Sequence, residues 1–259
     1  MQQYGEPDLA AAFPIESQTS DSDKRFLLDV QRVVREQSGD YRYLEIGSFL
    51  GGSLAPFLTD PACAAVWSID ERGRRQPDAR GRLYDYGGVT SESMLQRLRG
   101  CGIDCTRLSS HDGSIDSLPP DSEGLFDLAF IDGEHTDEAC FRDFLCTLPR
   151  MKRDAAIMFH DSSFVYKALK LINIYLSQSR CASSFFKKAA SEMSVILLGR
   201  YASLDLARYA GEREDPAVFF EAAEAMLLKQ QFRNRVRLGF SPRRLVSLKV
   251  VPPKVSRAY

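Results

Sequence analysis

The 259-residue sequence contains no apolar run approaching the roughly 18 to 20 residues that cross a bilayer, which excludes a helical membrane span. Residues 1–12 lack a basic segment followed by an apolar core, so no secretory leader is read there and a cytoplasmic location is expected. Excess charge of either sign is also missing. The formal net charge is -1, without the broad basic field that holds nucleic acid, so a small-molecule partner is expected and no nucleic acid. No second pair accompanies Cys101 and Cys105, and most of the six cysteines fall in apolar periodic segments where a free thiol behaves as a small hydrophobe. A zinc framework is therefore not read. Internal repeats and low-complexity tracts are absent as well.

What is present is alternation. Ser20 and Asp21 are placed to cap a helix whose apolar positions Phe26, Leu27, Val30, Val33 and Val34 recur at helical spacing up to Gly39. Strand candidates then follow at 43–47, 65–70, 105–108, 126–132 and 155–160, with helical patterns at 53–58, 91–99, 136–148 and 165–176 between and after them. Such alternation requires crossover connections and a parallel sheet covered on both faces. Two β-rich runs, 184–188 and 194–199, stand close enough to form a hairpin. The expected fold is α/β: a doubly wound, mostly parallel seven-stranded sheet with one antiparallel strand near its C-terminal end. Residues 1–19 are read as a flexible arm or lid, 20–200 as the main domain, and 201–259 as a C-terminal helix (215–231) and basic tail. That tail carries Arg233, Arg243, Arg244 and Lys249 with no acidic residue; it is read as a solvated appendage or as a contact for an anionic partner or a homo-oligomer.

Ligands of open parallel sheets bind beyond the carboxyl ends of the strands, so the strand ends carry the chemistry. The first strand runs into Glu45-Ile46-Gly47-Ser48-Phe49-Leu50-Gly51-Gly52-Ser53. Glycines there let the backbone turn and approach a ligand, and the Ser53 hydroxyl at a helix start suits a carboxylate or phosphate. The spacing is not G-x-G-x-x-G, which counts against a nicotinamide dinucleotide. Asp70 ends the second strand, where it either accepts ribose hydroxyls or caps the turn. Asp112, Gly113 and Ser114 sit in a polar stretch after the third strand, beside an adenine edge or in an ordinary turn. The fourth and fifth strands end in Asp132, His135, His160 and Asp161, bringing two of the three histidines to neighbouring strand ends. Each of these has a purely structural alternative: Asp132 starting the next helix, His135 on the surface, His160 hydrogen-bonded in the core.

These motifs, together with Phe126-Asp127-Leu128-Ala129-Phe130-Ile131-Asp132-Gly133, resemble the class I S-adenosylmethionine (SAM)-dependent O-methyltransferases, the metal-dependent catechol-type and macrolide-sugar enzymes above all. The resemblance covers about residues 20–200. It implies that Glu45 and Ser53 hold the methionine end of SAM, that Gly47 and Gly51, with Ser48, Phe49 and Gly52, admit its backbone, that Asp70 takes the ribose, and that Asp112, Gly113 and Ser114 flank the adenine. It further implies a divalent metal on Asp132, His160 and Asp161, and His135 as general base. Those relatives carry Asp where this chain has His160. Oxygen ligands favour Mg²⁺, and an imidazole shifts the preference toward Mn²⁺ or Fe²⁺. The expected activity is methyl transfer to a hydroxyl of a small molecule, a sugar or glycosylated natural product. The alternatives are a catalytically silent SAM-binding scaffold and an NAD-dependent oxidoreductase.

Overall fold

A computed structural model describes residues 7–118, 125–239 and 255–257. Among them, a short helix α1 (Leu9–Ala12) precedes α2 (Asp21–Ser38), whose first turn is capped by the Ser20 hydroxyl accepting from the Asp23 N–H at 3.2 Å. The main alternation is β1 (Tyr41–Ile46), α3 (Ala55–Thr59), β2 (Cys63–Asp70), β3 (Arg75–Pro77), β4 (Leu83–Asp85), α4 (Ser91–Gly100), β5 (Leu108–Asp112), β6 (Phe126–Ile131), α5 (Asp137–Thr147), β7 (Met151–Phe159) and α6 (Tyr166–Gln178). Beyond it come β8 (Ser183–Lys188), β9 (Ser194–Leu198), α7 (Ala207–Ala210), β10 (Arg213–Glu214), α8 (Pro216–Gly239) and β11 (Val255–Arg257).

The large sheet has the order β10-β8-β9-β7-β6-β1-β2-β5. β5, β2, β1, β6 and β7 pair in parallel, and β9 inserts antiparallel between β7 and β8. Seven strands with one reversed are thus as expected, and the two-residue β10 adds an eighth at one edge. The order reverses between β1 and β6, which makes the carboxyl ends of those two strands the switch point where a crevice must open. β6 is buried along its whole length, as a central strand covered on both faces must be.

The third parallel strand departs from expectation. Cys105–Leu108 was the sequence candidate, yet the strand is Leu108–Asp112, and Ser109 to Asp112 pair with Trp67 to Asp70. β5 lies at the sheet edge and is largely solvated, so no apolar periodicity marks it. Asp112 therefore ends a strand, and the polar turn begins only at Gly113. The stretch 72–90 also holds structure that its polarity concealed: β3 and β4 pair antiparallel, and β11 joins β4 in parallel.

Two apolar layers cover the sheet. One gathers Phe26, Val30, Val34, Phe57 and Leu98 with Phe13 and Ile15. The other gathers Phe144, Leu169 and Ile172 with Phe219, Ala223 and Leu227 of α8. Asp215 starts α8 as anticipated, its carboxylate accepting from the N–H groups of Ala217 and Val218 at 2.9 and 3.1 Å. Among the described residues no helix is long and apolar enough to cross a membrane. Arg243, Arg244 and Lys249 of the basic tail lie outside the described residues.

Candidate active site

Gly47 leaves β1 with φ +88°, a left-handed conformation, and its N–H donates to the Ile69 carbonyl at 2.8 Å. A methyl group at this position would overlap the Asp132 carbonyl. Phe49 follows with φ +45°, unusual for a bulky residue, and Asp70 holds that conformation by accepting from the Phe49 N–H at 2.7 Å. The capping alternative for Asp70 is thus part of the structure, and its other carboxylate oxygen is left for a ligand. Gly51 turns under Met94 and Leu98, and Gly52 lies against Ile15 and Ser17 of the N-terminal segment.

The loop borders a cleft of about 650 Å³, lined by Gly47, Ser48, Phe49, Gly52, Ser53 and Asp70 on one side and by Asp132, Gly133 and His135 on the other. Ser48 is buried there and its hydroxyl has no partner. Glu45 lies below the floor, fully buried; it accepts from the Ser53 hydroxyl at 2.5 Å and from the Tyr43 hydroxyl at 2.6 Å. Burial pushes its carboxyl up to about 7 in spite of those two donors. Gly113 and Ser114 line an adjoining recess of about 430 Å³ that shares Gly47, Asp70 and Gly133 with the cleft. Asp112 points elsewhere: half exposed, it accepts from Arg72 Nη1 and from the Ser91 hydroxyl, each at 2.6 Å.

The chemical group lies at the ends of β6 and β7. His160 continues from β7, its N–H bonded to the Ile131 carbonyl at 3.1 Å, and Asp161 turns the chain with φ +47°. His135 Nδ1 lies 2.9 Å from Asp161 Oδ2, and its Nε2 lies 3.2 Å from Asp132 Oδ1. His160 Nδ1 is 3.0 Å from the same Asp132 oxygen, 3.9 Å from Asp161 Oδ1, and Nε2 is 3.7 Å from Asp23 Oδ2. Neither His160 nitrogen has a well-directed hydrogen bond, although the side chain is only 10% exposed. Thr136 rather than Asp132 caps α5, His135 is largely enclosed rather than on the surface, and His160 meets Asp132 and Asp23 in a mostly buried setting.

Electrostatics bind the group together. Burial alone would lower the pKa of His135, but its bonds to Asp132 and Asp161 raise it to about 9. His160 is likewise driven well above its ordinary value, against the effect of burial, by Asp132 and Asp23. Burial disfavours the charge on Asp161, yet the His135 bond and both imidazoles hold it down at about 2. Asp23, Asp132 and Asp161 set three carboxylates around two imidazoles, an anionic pocket that protons or a cation must balance. Ligand atoms of Asp132, His135 and His160 all lie within 4.8 Å of one another. His135, expected as base, thus enters the metal-competent group, while Asp161 stands behind it with Oδ1 still free of a hydrogen bond to His135.

Sequence reasoning missed several residues. Tyr43 lies two positions before Glu45 on the same face of β1, a period-two relation that was there to be used. Arg72 stands in a polar stretch without apolar period, yet its side chain is 2% exposed and donates to Ser68, Ser91 and Asp112. Tyr86 and Gln76 reach the cleft from the small sheet, and Glu16 to Thr19 reach it from the N-terminal segment. Asp23 was legible only as a helix-start residue, and nothing in its spacing aims it at His160.

Residues 44–162 match the model of a family described as a methyltransferase domain. No curated protein matches the chain. Among solved structures, the O-methyltransferase NovP is similar with a TM-score of 0.52 at 13% identity, over 67% of this chain and 79% of its own. The Podospora anserina methyltransferase PaMTH1, bound to S-adenosylhomocysteine (SAH), gives 0.51 at 14% identity, over 76% and 91%. The O-methyltransferase TomG from Streptomyces achromogenes, involved in tomaymycin synthesis and complexed with SAM, gives 0.50 at 15% identity, over 76% and 92%. These neighbours share the mostly parallel fold, and the family match leaves the nicotinamide reading without support.

Proposed function

We propose that this chain, whose residues 44–162 carry a methyltransferase domain, moves the methyl group of SAM to a hydroxyl of a small molecule, with a sugar or glycosylated natural product as the favoured acceptor. The observation that carries the reading is the His135–Asp161 bond beside Asp132, at the mouth of the cleft on the sheet's switch point. In support of a SAM site, the unpartnered Ser48 hydroxyl and the Asp70 carboxylate offer polar contacts along the cleft. Ser53, its hydroxyl held by Glu45 from beneath, would take the methionine end, Asp70 the ribose, and Gly113 and Ser114 the adenine. Asp112 supports Arg72 instead of touching the base.

Chemistry at the other end follows from the dyad. Asp161 accepts from Nδ1–H of His135 and so fixes the tautomer that leaves Nε2 with a lone pair. As the acceptor oxygen forms its bond to the methyl carbon, the sulfur–carbon bond breaks, its electron pair stays on sulfur, and Nε2 takes the hydroxyl proton. A His135 titrating near 9 holds its proton at neutral pH, so the base role needs the negative charge of Asp132 to be engaged elsewhere.

The donor set fits a divalent cation: ligand atoms of Asp132, His135 and His160 lie within 4.8 Å of one another, His160 Nδ1 faces Asp132 without a well-directed hydrogen bond, and the carboxylates outnumber the imidazoles. Asp132 and His160 would hold it, with Asp161 Oδ1 beside them. When bound it would lower the pKa of an acceptor hydroxyl and orient it. The His160 imidazole among the ligands favours Mn²⁺ or Fe²⁺ over Mg²⁺. Transfer of tritiated methyl from SAM to a panel of glycosides, with each metal and with EDTA, tests the proposal. Absence of transfer to every acceptor with SAM still bound would overturn it.

A further inference from the structure

α8 lies wholly outside the 44–162 domain and has two distinct faces. Its inner face buries Phe219, Ala223 and Leu227 against the sheet's second apolar layer. Farther along, Gln231 Nε2 donates to the Ala79 carbonyl at 2.9 Å and Asn234 Nδ2 to the Arg80 carbonyl at 2.6 Å. The helix is held along its length, so its outer face is presented preformed and a partner pays little to order it. That outer face is apolar. Val218, Ala222, Ala225, Leu228 and Phe232 recur every three or four residues and all are exposed, Val218 and Leu228 at 59% and Phe232 at 69%.

A continuous apolar stripe left in water marks a docking surface, and the layout of this one identifies its occupant. The stripe is symmetric about Ala225: Val218 and Phe232 stand seven residues to either side, Glu221 and Lys229 four, and Ala222 and Leu228 three. On a second α8 laid antiparallel with Ala225 against Ala225, each side chain meets the position equally far beyond the centre. Val218 then meets Phe232 of the second copy, Ala222 meets Leu228, and Glu221 meets Lys229, so small side chains face large ones and acid faces base at two related places. A parallel pair would instead set Glu221 on Glu221 and Lys229 on Lys229. Both charges are exposed, and neither has an ion-pair partner among the described residues.

We infer that the outer face of α8 is a dimer interface and that its partner is a second copy of this chain, docked antiparallel about a two-fold axis at Ala225. The contact is isologous and closes on itself, so it ends at two chains. Neither SAM nor an acceptor enters this surface, and the dimer stands apart from the methyltransferase reading.

Analytical ultracentrifugation of the full chain over a concentration series tests this, and a dimer with a dissociation constant of about 1 to 10 µM is expected. Glu221→Lys or Lys229→Glu alone should weaken it about tenfold or more, because each sets two like-charge pairs in the contact, and the two changes together should restore it. Leu228→Glu combined with Phe232→Glu should leave a monomer, with circular dichroism certifying the fold. Under oxidation Ala225→Cys should cross-link to its own copy well above the wild-type background, whereas Val218→Cys, about 21 Å from its own copy in this register, should not. Should a charge variant not fold, the wild-type series and the Ala225→Cys cross-link still decide. A monomer at every concentration, which would leave the stripe to another occupant, a dimer indifferent to the charge reversals, or cross-linking through Val218→Cys in place of Ala225→Cys would overturn the inference.

Discussion

Gly47 and Asp132 are pressed together at the switch point: the Gly47 Cα faces the Asp132 carbonyl so closely that any side chain on Gly47 would displace it. The end of β1, which shapes the cofactor cleft, and the end of β6, which carries the chemical group, are therefore one rigid unit. Gly47→Ala should lower stability by about 2 to 4 kcal/mol, because it adds both positive-φ strain and backbone overlap. Urea denaturation of the two proteins, with SAM calorimetry alongside, measures the loss.

Glu45 carries a pH signature. Its pKa rises from 4.5 to about 7 on folding, so between those values the unfolded chain has lost a proton that the folded chain keeps. Stability from this group is therefore present at low pH and declines as pH climbs from about 4.5 to about 7. Glu45→Gln should remove that slope, so melting curves of variant and wild type should separate progressively across this interval.

His135→Ala should reduce kcat by about 10² to 10⁴ while SAM binding persists, the range expected for loss of a general base. Asp161→Asn should approach the same loss, because an amide in place of the carboxylate no longer fixes the imidazole tautomer. Single-turnover transfer with saturating SAM separates the chemical step from binding.

Removal of metal by EDTA should abolish most transfer, and Mn²⁺ should restore it better than Mg²⁺. His160→Asp should reverse that order, since it exchanges the imidazole for an oxygen ligand. Metal titration of both proteins with a rate readout checks the pair of outcomes.

Arg72 ties β2 to β5 and to α4 through its buried guanidinium. Arg72→Met should cost about 1 to 3 kcal/mol by leaving buried Ser68 without its donor and Asp112 with Ser91 alone, and should weaken SAM binding through the loop that Phe49 belongs to. Thermal melts with and without SAH distinguish the two effects.

Most of the alternation was legible in the sequence because buried strands and helices announce themselves by apolar period. β6 and β7 could be read for that reason, and so could the cap at Ser20. β5 could not, because an edge strand written Ser-Ser-His-Asp satisfies its backbone through Trp67 to Asp70 without an apolar stripe. β3 and β4 escaped for the same reason. At the site, residues that end a strand were readable because topology alone places them: Gly47, Asp70, Asp132 and His160.

The sequence by itself determined the parallel sheet and the set of polar residues at its strand ends, since hydrophobic period and strand-end position are local properties of the chain. Only the tertiary structure decided which of those residues touch. It paired His135 with Asp161, brought Asp23 of α2 to His160, withdrew Glu45 under Ser53 and Tyr43, and turned Asp112 away toward Arg72. Each of these depends on burial and on the approach of segments distant in sequence, and no spacing along the chain encodes that distance.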